Sequence, residues 1–256
     1  MPSVFRLPLV ACCLALLSGA HQPARAGETL VAVAANYAAA ARATAELFAE
    51  HGGHQAIITT GSTGKLFAQI AAGAPFEVLL AADTATPERL EREDLAVQGS
   101  RFTYATGRLA LWSADPAAIG SDGRAVLASD AYRHIAIANP DLAPYGVAAR
   151  EALRAMGLWD LVQPRIVMGQ NIGQTFALVR SGNAELGLVA WSALRELEKD
   201  ESGSTWVVPS GLHPPIRQDA VLLTRGADNP AARAFLAFLR GTDARAIAAD
   251  YGYGVD

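Results

Sequence analysis

Short apolar runs rich in β-branched residues alternate with helical patterns along most of the chain. This alternation restricts the fold more than any other feature, because strands separated by helices pair mostly in parallel. The sequence therefore predicts an α/β fold with a largely parallel sheet. We predict strands at Thr29–Ala35, Ala56–Thr60, Val78–Ala82, Leu109–Trp112, Ile135–Ala138, Arg165–Met168, Leu186–Ala190, Trp206–Val208 and Ala220–Leu223.

Helices are predicted in the intervals between these strands. The alternation continues through both halves of the chain and favours two α/β lobes. The Gly52-Gly53 pair stops the first helix, and Pro87 occupies a permitted first-turn position. The predicted helices are Tyr37–Glu50, Thr63–Ala72, a short one from Pro87 to Glu93, Val147–Met156, Ile172–Ser181, Ala231–Arg240 and Thr242–Tyr251.

The N-terminus has the pattern of a secretory signal peptide. Arg6 precedes an apolar run from Leu7 to Leu17, and Ala24-Arg25-Ala26 forms an A-x-A cleavage site before Gly27. The run is far shorter than the ~20 residues that a membrane-spanning helix needs. The sequence thus predicts residues 1–26 as a cleaved signal and a periplasmic mature protein. A lipoprotein signal that is cut before Cys12 is the alternative.

Cysteines and charge exclude several classes of protein. Cys12 and Cys13 both lie in the signal, so the mature chain has no disulfide and its stability depends on core burial. Without Arg6 and Arg25, 19 basic residues face 25 acidic ones, a net charge of about −6. Such a chain is a poor candidate for binding nucleic acid or an anionic membrane surface.

Four loops have the same character. Each follows a predicted strand and opens a predicted helix with small, polar or hydroxyl residues, and such junctions present free backbone N–H groups and a positive partial charge. An anion held where several of them converge needs no lysine. The loops are "AANY" (34–37), "GSTG" (61–64), "NPDLAPYG" (139–146) and "GQNIG" (169–173).

The stretch "TTGSTGKLF" around the second loop resembles part of a nucleotide-binding P-loop. That motif needs a glycine five positions before the Gly-Lys pair and a Ser or Thr directly after it. Thr59 and Leu66 occupy these positions. The loop is therefore predicted to bind a compact anion and not a triphosphate.

Each loop residue also has a purely structural interpretation. Asn36, Ser62 and Thr63 are all preferred helix caps. Tyr145 fits an ordinary half-buried aromatic residue, and Ile172 an ordinary apolar residue of a first helical turn. The prediction of a site depends on the four loops acting together.

At these loops the chain resembles a known family, the periplasmic molybdate-binding proteins of ABC importers, which are type II periplasmic binding proteins. The resemblance covers essentially the whole mature chain. Its most specific parts are "GSTGKLFAQIAAGAPFEVLLAAD" (61–83) and "NPDLAPYG" (139–146), with "GRLALWS" (107–113), "GLWDLVQPRIVMGQNIGQTFALVRSGNAELGLVA" (157–190) and the final "YGY" also matching.

The resemblance implies a fold of two lobes with mixed sheets flanked by helices, joined by two crossover strands. The first lobe is expected at residues 27–105 plus 219–256 and the second at residues 106–218. The lobes would close on one tetrahedral oxyanion, molybdate or tungstate, with no protein ligand to the metal and no cofactor. The oxyanion-contacting positions are Ala35, Asn36, Thr63, Tyr145 and Ile172, with Ser62 as a neighbour that can share the role of Thr63.

Two departures from the family pattern qualify the site. One branch places a tyrosine after the "LGLV" strand, where this chain has Ala190-Trp191. The combination of Asn36 with Tyr145 resembles the other branch, but the hydroxyl that can occur at position 35 is missing, so Ala35 offers only its N–H.

The function predicted from the resemblance is capture of the oxyanion by a monomeric protein and its delivery to membrane permease subunits. Another oxyanion, such as sulfate or phosphate, is the nearest alternative, and a direct role of Lys65 stays open. A secreted enzyme is a remote alternative. His51 and His54 in "HGGH" are explained more simply by the helix stop between them, and no G-x-S-x-G elbow occurs.

Overall fold

The computed structural model describes residues 27–198 and 201–255, and the predicted signal peptide lies outside them. In the described part ten strands form two five-stranded sheets. The strands are β1 (Glu28–Ala34), β2 (Gln55–Gly61), β3 (Val78–Leu80), β4 (Phe102–Gly107), β5 (Leu109–Ser113), β6 (Ile135–Ala138), β7 (Ile166–Gly169), β8 (Leu186–Ala190), β9 (Ser204–Val207) and β10 (Ile216–Leu222).

Helices cover both faces of each sheet. They are α1 (Ala38–Gly52), α2 (Thr63–Ala71), α3 (Ala85–Arg92), α4 (Gly123–Leu127), α5 (Pro144–Ala155), α6 (Trp159–Val162), α7 (Ile172–Arg180), α8 (Trp191–Leu194), α9 (Pro230–Leu239) and α10 (Thr242–Asp250). A search of the described residues found no helix with the length and apolar character needed to cross a membrane.

The two sheets have the same pattern of pairing. The first has the order β2-β1-β3-β10-β4 and the second β7-β6-β8-β5-β9. In each, the first three strands are parallel, and the last two pairings are antiparallel. The mixed sheets predicted from the family resemblance are confirmed. The alternation of strands and helices alone indicated a largely parallel sheet, because it does not reveal where the chain crosses to the other sheet.

The chain crosses between the sheets twice. Only Arg108 separates β4 in the first sheet from β5 in the second, and the return runs from Val207 in β9 to Ile216 in β10. The predicted limits of the two lobes fall within β4 and β10, and the division of the chain at those limits stays a prediction.

The core explains why the strands show little alternation of polar and apolar residues. On the first sheet, Tyr37, Phe48 and Phe235 fill one face and Leu66 and Leu90 the other. The second sheet is covered in the same way on its two faces by clusters around Leu153 and around Trp112. Because both faces of the central strands β1, β3, β5, β6 and β8 are buried, these strands are largely apolar.

Several predicted elements need correction. β4 was not predicted, since its "FTYATG" mixes polar and apolar residues and its partner β10 lies more than 100 residues later. β10 begins at Ile216 and not at Ala220, and α5 begins three residues before Val147, where Pro144 suits the first helical turn. The short helices α4, α6 and α8 were also not predicted.

Candidate functional site

All four predicted loops lie at strand-to-helix junctions, and the structure brings them together between the two sheets. The first follows β1 and enters a 3-10 turn, Ala35–Tyr37, before α1. The others link β2 to α2, β6 to α5 and β7 to α7. All six predicted site residues line a single small cavity of about 10 Å³, namely Ala35, Asn36, Ser62, Thr63, Tyr145 and Ile172.

In the first loop no side chain caps the start of the 3-10 turn or of α1. The interpretation of Asn36 as an N-cap is therefore wrong. Its side-chain Nδ2 donates instead to Gln218 Oε1 at 2.7 Å and to the Tyr253 hydroxyl at 3.3 Å. The first N–H groups of a helix have no intrahelical partner, so those of Ala35 and Asn36 are available to a ligand.

The second loop supplies two buried hydroxyls. Ser62 is the N-cap of α2, and its Oγ accepts from the backbone N–H of Lys65 at 3.4 Å. Thr63 Oγ1 accepts from the backbone N–H of Ala82 at 3.1 Å. A hydroxyl carries only one hydrogen, and here the lone pairs face backbone donors, so both hydrogens can be donated to a ligand in the cavity.

The third loop presents Tyr145 at the start of α5. Pro144 occupies the first helical turn and has no N–H, so the N–H of Tyr145 is the first donor of this helix. The side chain is only 1% exposed, so Tyr145 is not the half-buried residue of the structural interpretation. Burial raises its pKa well above the usual value, so the phenol is neutral.

The fourth loop starts α7. Asn171 is the N-cap, and its Oδ1 accepts from the N–H of Gln174 at 2.9 Å. Ile172 follows as the first helical residue, and its side chain is buried. A Cβ built on Gly173 would lie 3.8 Å from the Ala35 Cβ, so the first and fourth loops meet across the cleft.

Direct contacts join the two sides of the cleft. The backbone N–H of Gly64 donates to the carbonyl of Leu142 at 2.9 Å. The Ser192 hydroxyl in α8, which follows β8 of the second sheet, donates to the Asn36 carbonyl at 3.2 Å. It also accepts at 2.9 Å from the hydroxyl of Tyr253, which packs with the first sheet. The cleft is thus closed over the cavity.

No charged side chain of the described residues lines the cavity. Lys65, whose role the sequence left open, is exposed and lies outside the lining. The positive character of the site therefore comes from helix N-termini and hydroxyl groups. Such a lining favours a small, fully deprotonated anion.

A larger cavity of about 400 Å³ adjoins the first one and shares Ala82, Ala143 and Pro144 with it. Asp83 and Asp141 lie on its lining together with Arg217. Its carboxylates make it the poorer site for an anion, despite its size.

Sequence reasoning missed three residues beside the site. Gln218, Tyr253 and Ser192 all bond to Asn36 but lie 156 to 217 residues from it in the chain. The final "YGY" was the one signal that could have indicated Tyr253. At the departure Ala190-Trp191, the Trp191 ring packs on Gly252, where a Cβ would lie 2.8 Å from the ring.

The "HGGH" stretch has a structural role. Gly53 has a φ of 65° and caps the C-terminus of α1. His54 Nδ1 accepts from the N–H of Gly27 at 3.1 Å. Over the described residues, no three His, Cys, Asp or Glu side chains are grouped to hold a metal ion.

Comparison with known proteins identifies the family to which the chain belongs. A family model described as bacterial extracellular solute-binding protein matches residues 29–254. The molybdate-binding protein ModA of Azotobacter vinelandii is 49% identical over 232 residues, which cover 91% of this chain and 92% of the relative. ModA of Rhodobacter capsulatus is 46% identical over 240 residues, with 94% and 93% coverage.

A solved structure, the periplasmic molybdate-binding protein of Azotobacter vinelandii, superposes with a TM-score of 0.85 at 39% identity and covers 89% of this chain and 99% of its own. These relatives are binding proteins and not enzymes. The chain therefore belongs to the bacterial extracellular solute-binding proteins and, within them, to the ModA molybdate-binding family.

Proposed function

We propose that this protein captures molybdate, and also tungstate, in the cavity between its two sheets and delivers the anion to the permease of an ABC importer. The observation that carries the proposal is the convergence of four helix N-termini and two buried hydroxyls on a cavity without a charged side chain in the described lining. The names of the relatives from Azotobacter vinelandii and Rhodobacter capsulatus support molybdate as the ligand.

Local donors would supply the affinity. A mature chain of net charge about −6 does not attract a dianion through its overall field. A hydrogen bond to a charged acceptor contributes roughly 1.5–3 kcal/mol and a helix terminus ~0.3–1 kcal/mol. About six donors, less the costs of desolvation and closure, correspond to a binding free energy on the order of −8 to −12 kcal/mol.

The same lining would discriminate between anions that carry a proton and anions that do not. Monohydrogen phosphate brings an O–H group, and among the described residues no carboxylate lines the cavity to accept from it. A buried O–H without a partner is costly, so phosphate is disfavoured. Sulfate carries no proton at neutral pH, and only the size of the cavity would exclude it.

Thermal unfolding of the mature protein with four separate oxyanions tests the ligand. A ligand at 100 times its dissociation constant adds about 2.7 kcal/mol to the free energy of unfolding. We expect molybdate and tungstate to raise the midpoint, and sulfate and phosphate to leave it unchanged. A shift with sulfate as large as that with molybdate would overturn the preference for molybdate.

A matched pair of variants tests whether the molybdate-induced shift in the unfolding midpoint arises from binding in this cavity. Ala35→Asp places a carboxylate on the lining and should abolish the molybdate shift by repelling the dianion. Ala68→Asp adds the same charge on the exposed face of α2 and should keep the shift. Equal shifts in the two variants would place the ligand elsewhere.

Residues 1–26 would direct the protein to the periplasm as a cleaved signal peptide. The mass of the mature protein distinguishes this from the lipoprotein alternative. A chain that begins at Gly27 is expected, whereas a lipid-modified chain that begins at Cys12 would contradict the proposal.

The closed, liganded form of a monomer would be the form that the permease recognises. Transport by vesicles that contain the permease and its ATPase should require this protein together with molybdate, and Ala35→Asp should not support it. Transport of equal rate without the protein would contradict delivery.

A further inference from the structure

Gln218 lies at the crossing between the sheets, in β10, and is completely buried. It does not line the cavity. A register irregularity between Gln218 and Asp219 interrupts the β4–β10 ladder at this point. Such irregularities redirect side chains and are frequent beside functional sites.

The oxygen of the Gln218 amide holds the first loop. Oε1 accepts from Asn36 Nδ2 at 2.7 Å and from the Tyr104 hydroxyl at 3.1 Å. The Tyr104 hydroxyl has a single hydrogen and also lies 3.0 Å from the carbonyl of Ala81, so the shorter bond from Asn36 is the main one that Oε1 accepts. The bond to Asn36 fixes a residue that lines the cavity and whose backbone N–H, in the first turn of its helix, has no partner within that turn.

The nitrogen of the same amide has no hydrogen-bond partner among the described residues. Buried polar groups are rarely left unpaired, so an unpaired amide beside a binding site requires an explanation. The Tyr145 hydroxyl and Nε2 both lie over Gly107. A Cβ on Gly107 would be 2.1 Å from the first and 2.7 Å from the second.

Gln218 is thus placed between one residue of each side of the site. Asn36 follows β1 of the first sheet, whereas Tyr145 starts α5, which packs on the second. When the cleft opens, the contact between Gln218 and Asn36 stays within the first side. The approach of Tyr145 depends on closure.

We propose that Gln218 is a positioning residue of the anion site. Its Oε1 orients Asn36, and its Nε2 pairs with the Tyr145 hydroxyl when the closed form tightens on the ligand. The inference rests on the proposed function of the same cavity. On this proposal the amide of Gln218, which lies outside the cavity, aligns hydrogen-bond donors from the two sides of the cleft.

The test measures oxyanion affinity by calorimetry and the unfolding midpoint of the ligand-free protein. Gln218→Met keeps the volume and removes both polar groups. It should weaken molybdate binding about tenfold, with a much smaller effect on the ligand-free midpoint. Thr103→Val is the matched control, because it removes a hydrogen bond to Asp219 on the same strand pair without touching the cavity lining.

A double-mutant cycle distinguishes the positioning of Asn36 from a general weakening of the crossing between the sheets. If Gln218 acts through Asn36, then Gln218→Met should add little to the effect of Asn36→Ala. For the variant Gln218→Glu, the affinity for molybdate is measured as a function of pH. The protonated carboxyl offers one acceptor and one donor as the amide does, so binding should approach that of the wild type at low pH and weaken as the pH rises.

Wild-type affinity for Gln218→Met, an equal loss in Thr103→Val, or additive effects with Asn36→Ala would each overturn the proposal. If the wild type binds sulfate and not molybdate, the ligand assignment fails, and the same variants then test Gln218 with sulfate. If the wild type binds none of the four oxyanions, the proposed function and the role of Gln218 both fail.

Discussion

The N–H of Gly64 donates to the carbonyl of Leu142 at 2.9 Å, and this bond joins the start of α2 to the loop before α5 across the cleft. A Cβ on Gly64 would lie 3.1 Å from that same carbonyl oxygen. Closure therefore depends on the missing side chain at position 64.

Gly64→Ala should lower affinity without lowering stability. Alanine favours the helix by up to about 1 kcal/mol, while its methyl group pushes the two sides of the cleft apart. Calorimetry with molybdate should show weaker binding, and the ligand-free unfolding midpoint should stay or rise. Gly52 is the last residue of α1, and a Cβ there would meet only His54, at 3.9 Å. Gly52→Ala is therefore the control, and it should stabilise the protein without altering its affinity for molybdate.

Thr63→Val should lower both affinity and stability. The substitution removes a hydroxyl from the lining of the proposed anion site and leaves the buried N–H of Ala82 without its acceptor. An unpaired buried donor costs about 1–3 kcal/mol, measurable by denaturant unfolding. Thr63→Ser keeps the hydroxyl and serves as the control. A valine variant that binds like the wild type would remove this hydroxyl from the site.

Gly107→Ala should weaken binding strongly, because its Cβ would overlap the Tyr145 hydroxyl at 2.1 Å. Tyr145 would have to move, and with it the first N–H of α5. Adding Tyr145→Phe removes the closest overlap, so the double variant should bind better than Gly107→Ala alone. Tyr145→Phe by itself is the reference. A double variant no better than the single one would contradict this account.

Asp83→Asn should change the pH dependence of stability. Burial raises the pKa of Asp83, although hydrogen bonds from Thr86 oppose the rise. A carboxyl whose pKa is raised on folding contributes stability below its unfolded value of about 4, and loses it as the pH rises through the folded pKa.

The advantage of the asparagine variant should therefore grow as the pH rises above about 4 and then level off. Asparagine can also accept from the Thr86 N–H, which donates to Asp83 Oδ1 at 2.7 Å. Denaturant unfolding of both proteins over a pH series measures the difference. A difference that does not change with pH would contradict the prediction.

The four loops around the cavity could be predicted from the sequence, because each lies next to a local signal, whereas the choice of the six residues within them came from the family resemblance. Asn36, Thr63 and Ile172 all sit at the point where a run of β-branched residues gives way to a helical pattern. The sequence did not indicate how Asn36 is held. Its partners Gln218 and Tyr253 are 182 and 217 residues away, and no local pattern reports such pairing.

The arrangement of the sheets was predictable to a similar extent. The parallel units around β1 and β6 follow from alternation of strand and helix. The antiparallel pairing of β10 with β3 and β4 does not, because it depends on a chain crossing that has no periodic signature. Pro214 and Pro215 lie on the crossing from β9 to β10, but they do not indicate its direction.

The absence of charged side chains from the described lining has an evolutionary consequence. In the proposed site the attraction for an anion resides mainly in backbone groups at four helix starts, so the exchange of one uncharged side chain for another at Ala35 or Ile172 would alter mainly the volume of the cavity. Selection can then adjust which anion fits by exchanging one small residue for another, while the complementarity of charge is inherited with the fold itself.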